Sequence, residues 1–560
     1  MILNMHKVLM LCIYVTPIIQ VKKLARTGHT SWTLTSVDFQ NGPFMDHNIS
    51  TTTLTAGHTS VGSSGNLTLS STTGVNDNQG WLTTDVGRLV HFKDGHYKIT
   101  ARTSATVAVS ICIASPSSGS ASTDFALGSF SDTTGHPSCV TFFEQRLVFA
   151  ATLSQPQTLF FSKSGDYENM DDNYHGVVAD DDAIIYTIAS NQVNAIRFMT
   201  ATRTLIIGTA GGEFAVSGGG TDIAITPTNI LIKKQSNNGA ANVDALAVGN
   251  ATLFLQRARR KLRELAYNFD VDGYVAPDLT ILAEHISEGG FKQLSYQQEP
   301  NQVIWCARND GQLVGLTYQR EQQVVAWHRH IFGGVFGSGN SVCDSVATIP
   351  TDDSEYQTWV IVKRTINGAT KRYVEYIHQY DFDETDDTSF NFLDSQLAYD
   401  GSAVTNISGL AHLEGQTVSV LADGATHPDK VVSSGAIVLE RAASKVKVGL
   451  SYTSLLQTMR IDAGAQNGTS QSKTKRIYEI TARLYESIGV EIGPDLANME
   501  RIPFRSSANA MNSGINVFTG DKEIEFRGNY ETDGFIFVRQ TQPLPLTILS
   551  LYPKLQTNDG

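Results

Sequence analysis

Two clusters of carboxylates are the residues of this sequence with the clearest chemical potential. The first is Asp180-Asp181-Asp182. The second lies in DFDETDDTSF and consists of Asp381, Asp383, Glu384, Asp386 and Asp387. Such clusters can bind Ca²⁺, but the second lacks the central glycine and the distal glutamate of an EF-hand loop. The pattern therefore favours solvated acidic loops over a calcium site.

The one local concentration of positive charge is RARRKLR, which follows the apolar run ATLFLQ and precedes ELAYNF. This placement predicts a hairpin tip or a strand edge. Its basic residues are Arg257, Arg259, Arg260, Lys261 and Arg263. In a chain of net charge −13, an inter-subunit salt-bridge site is favoured over a phosphate contact.

Other catalytic signals are weak or absent from the sequence. His328 and His330 alternate on one predicted strand with no third ligand in view, which favours surface histidines over a metal pair. No GxxxxGK[ST], strand-to-helix GxGxxG, HExxH or GxSxG occurs, and no repeated Asp-box indicates the paired carboxylates of a glycosidase. We predict a protein that is not an enzyme, with no catalytic residue, no cofactor and no metal.

The composition is that of an acidic globular protein. Among 560 residues, 42 Lys and Arg stand against 55 Asp and Glu, which argues against gripping nucleic acid because phosphate binding depends on basic side chains. The five cysteines are widely spaced without a CxxC pair. They predict scattered core thiols of a protein assembled in a reducing compartment.

A repeat organises the middle of the chain. Segments of similar shape open at Val140, Val193, Val243, Phe291 and Val342, at intervals of 53, 50, 48 and 51 residues. Each contains short apolar runs separated by turns, such as Asn309-Asp310-Gly311. A period near 50 residues made of about four antiparallel strands is typical of a β-propeller blade. The spacing predicts at least five blades, with an irregular β-sandwich as the alternative.

Smaller β modules flank the repeats. Gly87-Arg88-Leu89-Val90 before Asp94-Gly95 is echoed by Gly415-Gln416-Thr417-Val418 before Asp423-Gly424. Two explanations fit this match equally well: two related platform modules, or two unrelated hairpins that use the same turn residues by convergence. At the start of the chain, the apolar run from Val8 to Val15 is short, and Pro17 interrupts the residues that follow it. This pattern favours a buried strand over a signal peptide or anchor.

The predicted fold is therefore all-β: a β-propeller with appended small β-barrel or β-sandwich platform domains. We expect an N-terminal β platform module over 1–130, propeller blades over 131–380, a second small β-barrel module over 381–475 and a C-terminal β segment over 476–560 that completes the platform or the propeller.

Several segments carry a family resemblance. In the run from Phe125 to Met170, a Gly135-His136-Pro137 turn leads into an apolar strand, then Gln145-Arg146-Leu147, and then a turn from Ser162 to Tyr167. Other such pieces are KLARTGHTSWTLTSVDFQNGPFMDHN, RKLRELAYN, NDGQLVGLTYQREQQVVAWHRH, GLAHLEGQTVSVLADG and QPLPLTILSL. As a group, spread from Leu24 to Leu551, they resemble the tail nozzle, or tail tubular, proteins of short-tailed bacteriophages (podoviruses). His136 departs from the aromatic residue usual in that family.

This resemblance implies a structural virion protein of the viral tail that takes part in DNA ejection. It implies a ring, expected to be a homohexamer, that contacts tail adaptor and tail fibre proteins. Genomic DNA passes through its channel without specific binding, and no membrane insertion is expected. The resemblance also implies assembly in the host bacterial cytoplasm. Because an electronegative channel adheres little to DNA, we expect Asp180 to Asp182 and the Asp381 to Asp387 cluster to face the lumen.

The alternative is a secreted or surface glycan-binding β-propeller, either an adhesin or a glycoside hydrolase. Paired disulfides favour an adhesin, and two close carboxylates in a cleft favour an enzyme. A ring of about six subunits fits the tail nozzle.

Overall fold

Short apolar runs bounded by turn residues form antiparallel strands throughout this chain, as the alternation of side chains predicts. The computed structural model describes residues 4–8, 11–28, 30–189, 194–220, 223–351, 355–378, 390–462, 464–465, 468–469, 471–510 and 513–558. These residues belong to two compact units, Met1–Leu294 and Ser295–Gly560. The domain boundaries drawn from the sequence stay predictions.

The first unit begins with a four-stranded sheet in chain order. Its strands are β1 (Asn4–Val8), β2 (Leu11–Thr16), β3 (Ile19–Gly28) and β4 (Ser31–Ser36). Ile13 and Val15 on β2 are buried, which confirms the buried strand expected there. The sequence did not predict that this stretch forms a four-stranded sheet in chain order, like the repeats that follow it.

A six-stranded sheet follows, in the order β10-β7-β8-β9-β6-β5. Its strands are β5 (Leu54–Ala56), β6 (Ser64–Leu69), β7 (Leu89–Phe92), β8 (Gly95–Arg102), β9 (Val107–Ala114) and β10 (Phe125–Leu127). A 3₁₀ turn at Thr83–Asp85 precedes β7. One core, which includes Trp81, Phe92 and Tyr97, fills the sheet's inner face.

Three further four-stranded sheets complete the first unit, each in chain order. The first has β11 (Cys139–Phe143), β12 (Arg146–Ala150), β13 (Thr158–Phe161) and β14 (Ile184–Thr187). The second has β15 (Ile196–Ala201), β16 (Leu205–Thr209), β17 (Gly212–Ser217) and β18 (Leu231–Ser236). The third has β19 (Leu246–Val248), β20 (Ala251–Leu255), β21 (Leu262–Asn268) and β22 (Gly273–Val275). A 3₁₀ turn (Phe269–Val271) and helix α1 (Glu284–Ser287) lie in the connections.

Successive sheets of the first unit pack face to face. Buried residues of β2 and β3 contact those of β11 to β13 in one core, and the next two interfaces each have a core of their own. The first strands lie side by side, β1 against β11, β11 against β15 and β15 against β19. Sheets stacked by their faces, with their first strands adjacent, are blades of a β-propeller.

Blade sheets continue after Phe291. A four-stranded sheet contains β23 (Phe291–Gln297), β24 (Val303–Arg308), β25 (Leu313–Gln319) and β26 (Val324–His330), with a 3₁₀ turn at Arg320–Gln322. The short strands β27 (Val335–Phe336) and β28 (Gly339–Asn340) pair with each other. A three-stranded sheet contains β29 (Val342–Pro350), β30 (Tyr356–Ile366) and β31 (Ala369–Tyr376).

The remaining sheets of the second unit are irregular in order. The first, β32-β35-β33-β34, contains β32 (Asp394–Ser408), β33 (Thr417–Ala422), β34 (Ala425–Val431) and β35 (Ala436–Leu450), with a 3₁₀ turn at Ala411–Leu413. Then come β36 (Ser454–Gln457), β37 (Gly464–Ala465), β38 (Gly468–Thr469), β39 (Thr474–Ser487), β40 (Glu491–Gly493), β41 (Glu500–Arg501), β42 (Phe518–Glu525), β43 (Phe537–Gln540) and β44 (Thr547–Asn558). They form the sheets β36-β43-β40-β41, β37-β38 and β42-β39-β44.

The predicted repeat and the structure agree in most places. Strands begin at Phe291 and Val342, Val140 lies in β11, and β19 starts three residues after Val243. Val193 lies outside the described residues. The all-β fold of β-propeller type with added small sheets is thereby confirmed.

The echo between the two small modules covers more than one hairpin. Each hairpin follows a 3₁₀ turn and a glycine at positive φ, Gly87 at 92° and Gly415 at 74°. The third strands differ. In the first module the third strand, β9, pairs with β8, whereas in the second the third strand, β35, pairs with β33 on the opposite edge. The first turn is also shifted by one residue, because Phe92 pairs with Gly95. A Cβ at Gly95 would lie 2.4 Å from the Pro116 nitrogen, so this glycine serves close packing and not the turn. The relation between the two modules therefore stays a prediction.

All five cysteines are buried and free, as the sequence predicted for core thiols. Burial raises the pKa of Cys139 to about 12, which keeps its thiol protonated and unreactive. None of the helices in the described part of the chain is long and apolar enough to cross a membrane.

Candidate functional site

The Asp180–Asp182 cluster is a loop between β13 and β14. Asp180 and Asp181 are exposed, whereas Asp182 is only 2% exposed. Lys163 Nζ donates to Asp182 Oδ1 at 2.7 Å, and the Ala179 amide donates to Oδ2 at 2.7 Å. Burial by itself would raise the pKa of Asp182, but these two hydrogen bonds hold it below its usual value. Asp182 is thus a structural residue and not an exposed lumen charge, while the lumen position of Asp180 and Asp181 stays a prediction.

The backbone of the same loop wraps around Arg146, which is 2% exposed. Its Nη1 donates to the carbonyls of Ser162 at 2.8 Å and Asp182 at 2.6 Å, and its Nη2 donates to the carbonyl of Asp180 at 2.6 Å. The Gly165 amide donates to the Gln145 carbonyl at 2.9 Å. The Gln145-Arg146-Leu147 segment therefore holds the Ser162–Tyr167 turn and the acidic loop in place.

His136, the residue that departs from the family pattern, is also anchored. Its amide donates to the Pro17 carbonyl at 3.0 Å, and its Nε2 lies 2.9 Å from Asp132 Oδ1. A histidine at this position thus gains a polar partner that an aromatic hydrocarbon could not bind.

The second acidic cluster, with Asp381, Asp383, Glu384, Asp386 and Asp387, lies outside the described residues. Its orientation stays a prediction.

The basic stretch forms the turn of the β20–β21 hairpin, as expected. Arg257 and Arg260 are exposed in this turn, and Arg259 adopts a left-handed backbone conformation with φ of 62°. Lys261 and Arg263 are already engaged inside the chain. Lys261 Nζ lies 2.8 Å from Asp278 Oδ2, while Arg263 donates through Nε to Gln256 at 2.9 Å and through Nη1 to the Ala276 carbonyl at 2.6 Å. An inter-subunit role stays a prediction and concerns mainly Arg257, Arg259 and Arg260.

His328 and His330 on β26 are more enclosed than a surface position predicts. His328 Nδ1 lies 2.7 Å from His330 Nε2. Both imidazole rings make edge-to-face contacts with Trp305. Burial, and then the charge of His328, lower the pKa of His330 to about 3. Gly315 opposite is needed for this packing, since a Cβ there would lie 2.0 Å from His328 Cε1.

In the second unit, buried Arg364 binds the carboxylate of Glu375 directly and is linked to that of Asp394 through Gly333. It forms an ion pair with Glu375, and its Nε donates to the Gly333 carbonyl at 2.9 Å. The Gly333 amide donates to Asp394 Oδ2 at 2.6 Å, and burial raises the pKa of Asp394 to about 6. Because both carboxylates have fixed partners within the chain, these contacts have a structural role: they connect β30, β31 and β32.

A cluster of histidines that the sequence did not indicate lies in the first unit. Its members come from distant positions and gather where β7, the start of β10 and the β13–β14 connection meet. The cluster consists of His47, His91, His96, Asp124, Tyr174 and His175. A pocket of about 40 Å³ opens beside it, which is room for an ion with one or two waters.

The rings of this cluster stack on one another. His47 stacks on Tyr174 with centroids 3.7 Å apart, and His91 stacks on His175 at 5.2 Å. Asp124 lies between two of the imidazoles, with Oδ1 3.4 Å from His47 Nδ1 and Oδ2 3.5 Å from His175 Nε2. Together these contacts align several ring nitrogens around one carboxylate.

Burial dominates the electrostatics of the cluster. It lowers the pKa of His91 to about 3, with further lowering by the charges of His96, His47 and His175. Burial also lowers the pKa of His96 and of His47, although Asp124 opposes the shift at His47. His91 is therefore a neutral imidazole at neutral pH.

Sequence reasoning missed this cluster because its members have no fixed spacing. His91 lies on β7, Asp124 stands just before β10, and His175 lies in the connection from β13 to β14. Two pairs are close in the chain: Tyr174 and His175 are adjacent, and His91 and His96 face each other across the β7–β8 hairpin. These two pairs were the only signals available in advance.

No family model matches this chain, and no curated protein matches it. Among solved structures it is similar to an auxiliary nutrient binding protein from Bacteroides thetaiotaomicron, with 8% identity, a TM-score of 0.25, and coverage of 71% of this chain and 97% of that one. It is also similar to a candidate 6-phosphogluconolactonase from Bacteroides fragilis, with 9% identity, a TM-score of 0.25, and coverage of 58% of this chain and 98% of that one.

The class of the protein follows from its own strand order and packing. Blade sheets in chain order, stacked face to face, define a β-propeller-type protein, and the six-stranded sheet together with the sheets after β31 are added to it.

Proposed function

We propose that this chain is the subunit of a tail nozzle of a short-tailed bacteriophage, a ring through which the genome leaves the particle. The proposal rests on the family resemblance of the segment that runs from Phe125 to Met170. The pieces of that segment form one contact set, because Arg146 binds the Ser162 carbonyl and Gly165 binds the Gln145 carbonyl. A resemblance whose separated pieces contact one another reflects a shared structural unit better than unrelated short matches would.

The charge of the chain supports a conduit role. A net charge of −13 disfavours adhesion to DNA, since each phosphate neutralised by Lys or Arg adds affinity and slows passage. Asp180 and Asp181 offer exposed carboxylates on a loop that Arg146 holds through its backbone. Such a loop keeps its shape while both carboxylates stay exposed, with Asp181 Oδ2 4.0 Å from Lys163 Nζ.

Exposed apolar side chains support self-association. The sheet of β39, β42 and β44 exposes Tyr478, Tyr485, Leu549 and Tyr552, each more than two-fifths accessible. Aromatic and aliphatic groups exposed on a sheet are typical of protein interfaces. We assign this face to contact with another subunit or with a tail partner.

The assembly state and the location in the particle test this proposal together. Light scattering of the purified chain is expected to give a mass of about six subunits, and antibodies against the chain are expected to label the tail tip of intact particles. A monomer that binds glycans and is absent from purified particles would support the surface β-propeller alternative and reject the nozzle.

Reversing the charge of the exposed loop residues is expected to slow DNA ejection. Asp180→Lys with Asp181→Lys leaves the carbonyls bound by Arg146 untouched and adds two cations toward the channel. The slowing should be greatest at low salt and fade as salt is raised, because phosphate contacts weaken with ionic strength. The measurement is the ejection rate from particles as a function of salt.

Asp270→Lys, at another exposed position, is the matched control and should leave the rate unchanged. Equal rates for the double variant and the unmodified particle at every salt concentration would remove the lumen assignment. They would leave the nozzle proposal itself to the labelling experiment.

A further inference from the structure

We propose that His91, His175 and Asp124 bind a divalent transition-metal ion of the zinc type. Among the described residues these three offer donor atoms that all lie within 4.8 Å of one another. The inference concerns the first unit alone and does not depend on the nozzle function.

The hydrogen bonds behind His91 prepare one of its nitrogens as a ligand. His96 Nδ1 lies 3.0 Å from Asn41 Oδ1, which can only accept, so His96 donates from Nδ1 and keeps a lone pair on Nε2. His91 Nδ1 lies 3.1 Å from that Nε2 and therefore donates to it. In a neutral imidazole the other nitrogen, Nε2 of His91, then carries the free lone pair.

That lone pair has no hydrogen-bond partner among the residues that the structure describes. His91 is 6% exposed, and its Nε2 is buried without a hydrogen bond. Buried polar atoms nearly always have a hydrogen-bond partner. An unpaired imidazole nitrogen beside other atoms that can ligate a metal therefore indicates a position where an ion could bind. His47 Nδ1 lies 3.4 Å from Asp124 Oδ1, the carboxylate oxygen that does not face His175.

The distances between the three possible ligand atoms suit a small metal ion once these atoms move slightly closer together. Bonds of about 2.0 to 2.1 Å place the ligand atoms of tetrahedral zinc about 3.3 Å apart. His175 Nε2 and Asp124 Oδ2 already lie 3.5 Å apart. The His175 ring stacks on His91 at an interplanar angle of 20°, so it must turn before both ring nitrogens can point at one ion. His175 is exposed and lies in a connection rather than a strand, so it can turn without disturbing a sheet.

The donor types select the ion. Two imidazoles and one carboxylate suit Zn²⁺ and related transition metals, whereas Ca²⁺ and Mg²⁺ prefer oxygen-only sites. The donation from His91 to His96 is the kind of outer contact that orients a metal-binding histidine. An ion here would cross-link β7, the segment before β10 and the β13–β14 connection, which are far apart in the chain.

Metal titration of the purified full-length protein tests the site. After chelator treatment and dialysis, Zn²⁺ is expected to bind at one equivalent and to raise the midpoint of thermal unfolding. Co²⁺ as a probe is expected to give the visible absorption of a four- or five-coordinate site. His175→Ala and Asp124→Asn should each lower Zn²⁺ affinity by at least about 100-fold, since losing even an outer partner costs 10- to 100-fold.

The control variant is His285→Ala, which removes an exposed histidine on α1 away from the cluster and should leave Zn²⁺ affinity unchanged. A measurement on the unmodified chain guards against variants that fail to fold. Carbethoxylation of His175, followed by mass spectrometry, should be suppressed by Zn²⁺ while that of His285 is not. Absence of stoichiometric binding, equal affinity in His175→Ala, or unprotected His175 would each overturn the proposal.

Discussion

Replacing Arg88 with alanine is expected to lower the free energy of unfolding of the first unit by about 3 to 5 kcal/mol. Arg88 and Asp85 are 1% and 0% exposed, and Arg88 Nη1 lies 2.8 Å from Asp85 Oδ1. The same guanidinium donates to Asn76 Oδ1 at 2.9 Å and, through Nε, to the Gly128 carbonyl at 2.8 Å. Removing it leaves a buried carboxylate without its cation, which is the costly way to break an ion pair.

Asp85 cannot replace this lost partner by rotating toward water. Its Oδ2 already accepts from the Leu82 amide at 2.8 Å, and its Oδ1 accepts from Thr133 Oγ1 at 2.7 Å. These bonds fix the carboxylate in the core, so the variant must either protonate it or open the network. We expect the six-stranded sheet to loosen first, because Arg88 ties the start of β7 to the end of β10.

Denaturant unfolding followed by fluorescence of Trp81, which is buried in that sheet's core, measures the loss. Lys98→Ala is the matched control on neighbouring β8. Lys98 pairs with Asp38 at 2.7 Å, but the two side chains are 36% and 82% exposed, so its loss should cost less than about 1 kcal/mol. Equal destabilisation by the two variants would contradict a special role for the buried pair.

Local signals in the sequence predicted most of the strands. The turn Asn309-Asp310-Gly311 does connect β24 and β25, and Gly311 has the positive φ of 91° that such a turn requires. Phe291 and Val342 begin strands because an apolar run after turn residues is a short-range feature. The 50-residue period follows from these local features and needs no knowledge of long-range contacts.

Long-range contacts explain what the sequence could not predict. Gly95 looked like a turn residue, yet it is required by the close approach of Pro116, 21 positions away. The histidine cluster depends on loops that meet only after the sheets have packed. Asp182 looked like a solvated acid because Lys163, its partner, lies on the far side of the β13–β14 connection.

The arginine of the family-like segment illustrates the same limit. Gln145-Arg146-Leu147 could be matched to a family, but its physical role could not be deduced from spacing. Arg146 binds carbonyls rather than acidic side chains, and carbonyl partners leave no trace in the residue types of a sequence. Its role became visible only with the backbone in place.

Replacing Arg146 with alanine is accordingly expected to destabilise the first unit by about 2 to 4 kcal/mol. The change leaves the carbonyls of Ser162, Asp180 and Asp182 without their shared donor, and each unsatisfied buried group costs about 1 to 3 kcal/mol unless water reaches it. Asp180 is exposed, so its carbonyl can be hydrated, whereas Ser162 and Asp182 are buried. The two buried carbonyls therefore account for most of the expected loss.

The loss should be local as well as global. Amide hydrogen exchange is expected to accelerate at Ser164, whose N–H donates to the Asp181 carbonyl at 3.0 Å, before the rest of the unit is affected. Arg146→Lys keeps the charge but not the planar fork that reaches several carbonyls, so it should fall between alanine and the unmodified chain. Arg257→Ala, at an exposed position, should change neither stability nor exchange. An alanine variant at position 146 with unchanged exchange in this loop would show that the loop holds its shape without the guanidinium, and the contact set that supports the nozzle proposal would lose its physical basis.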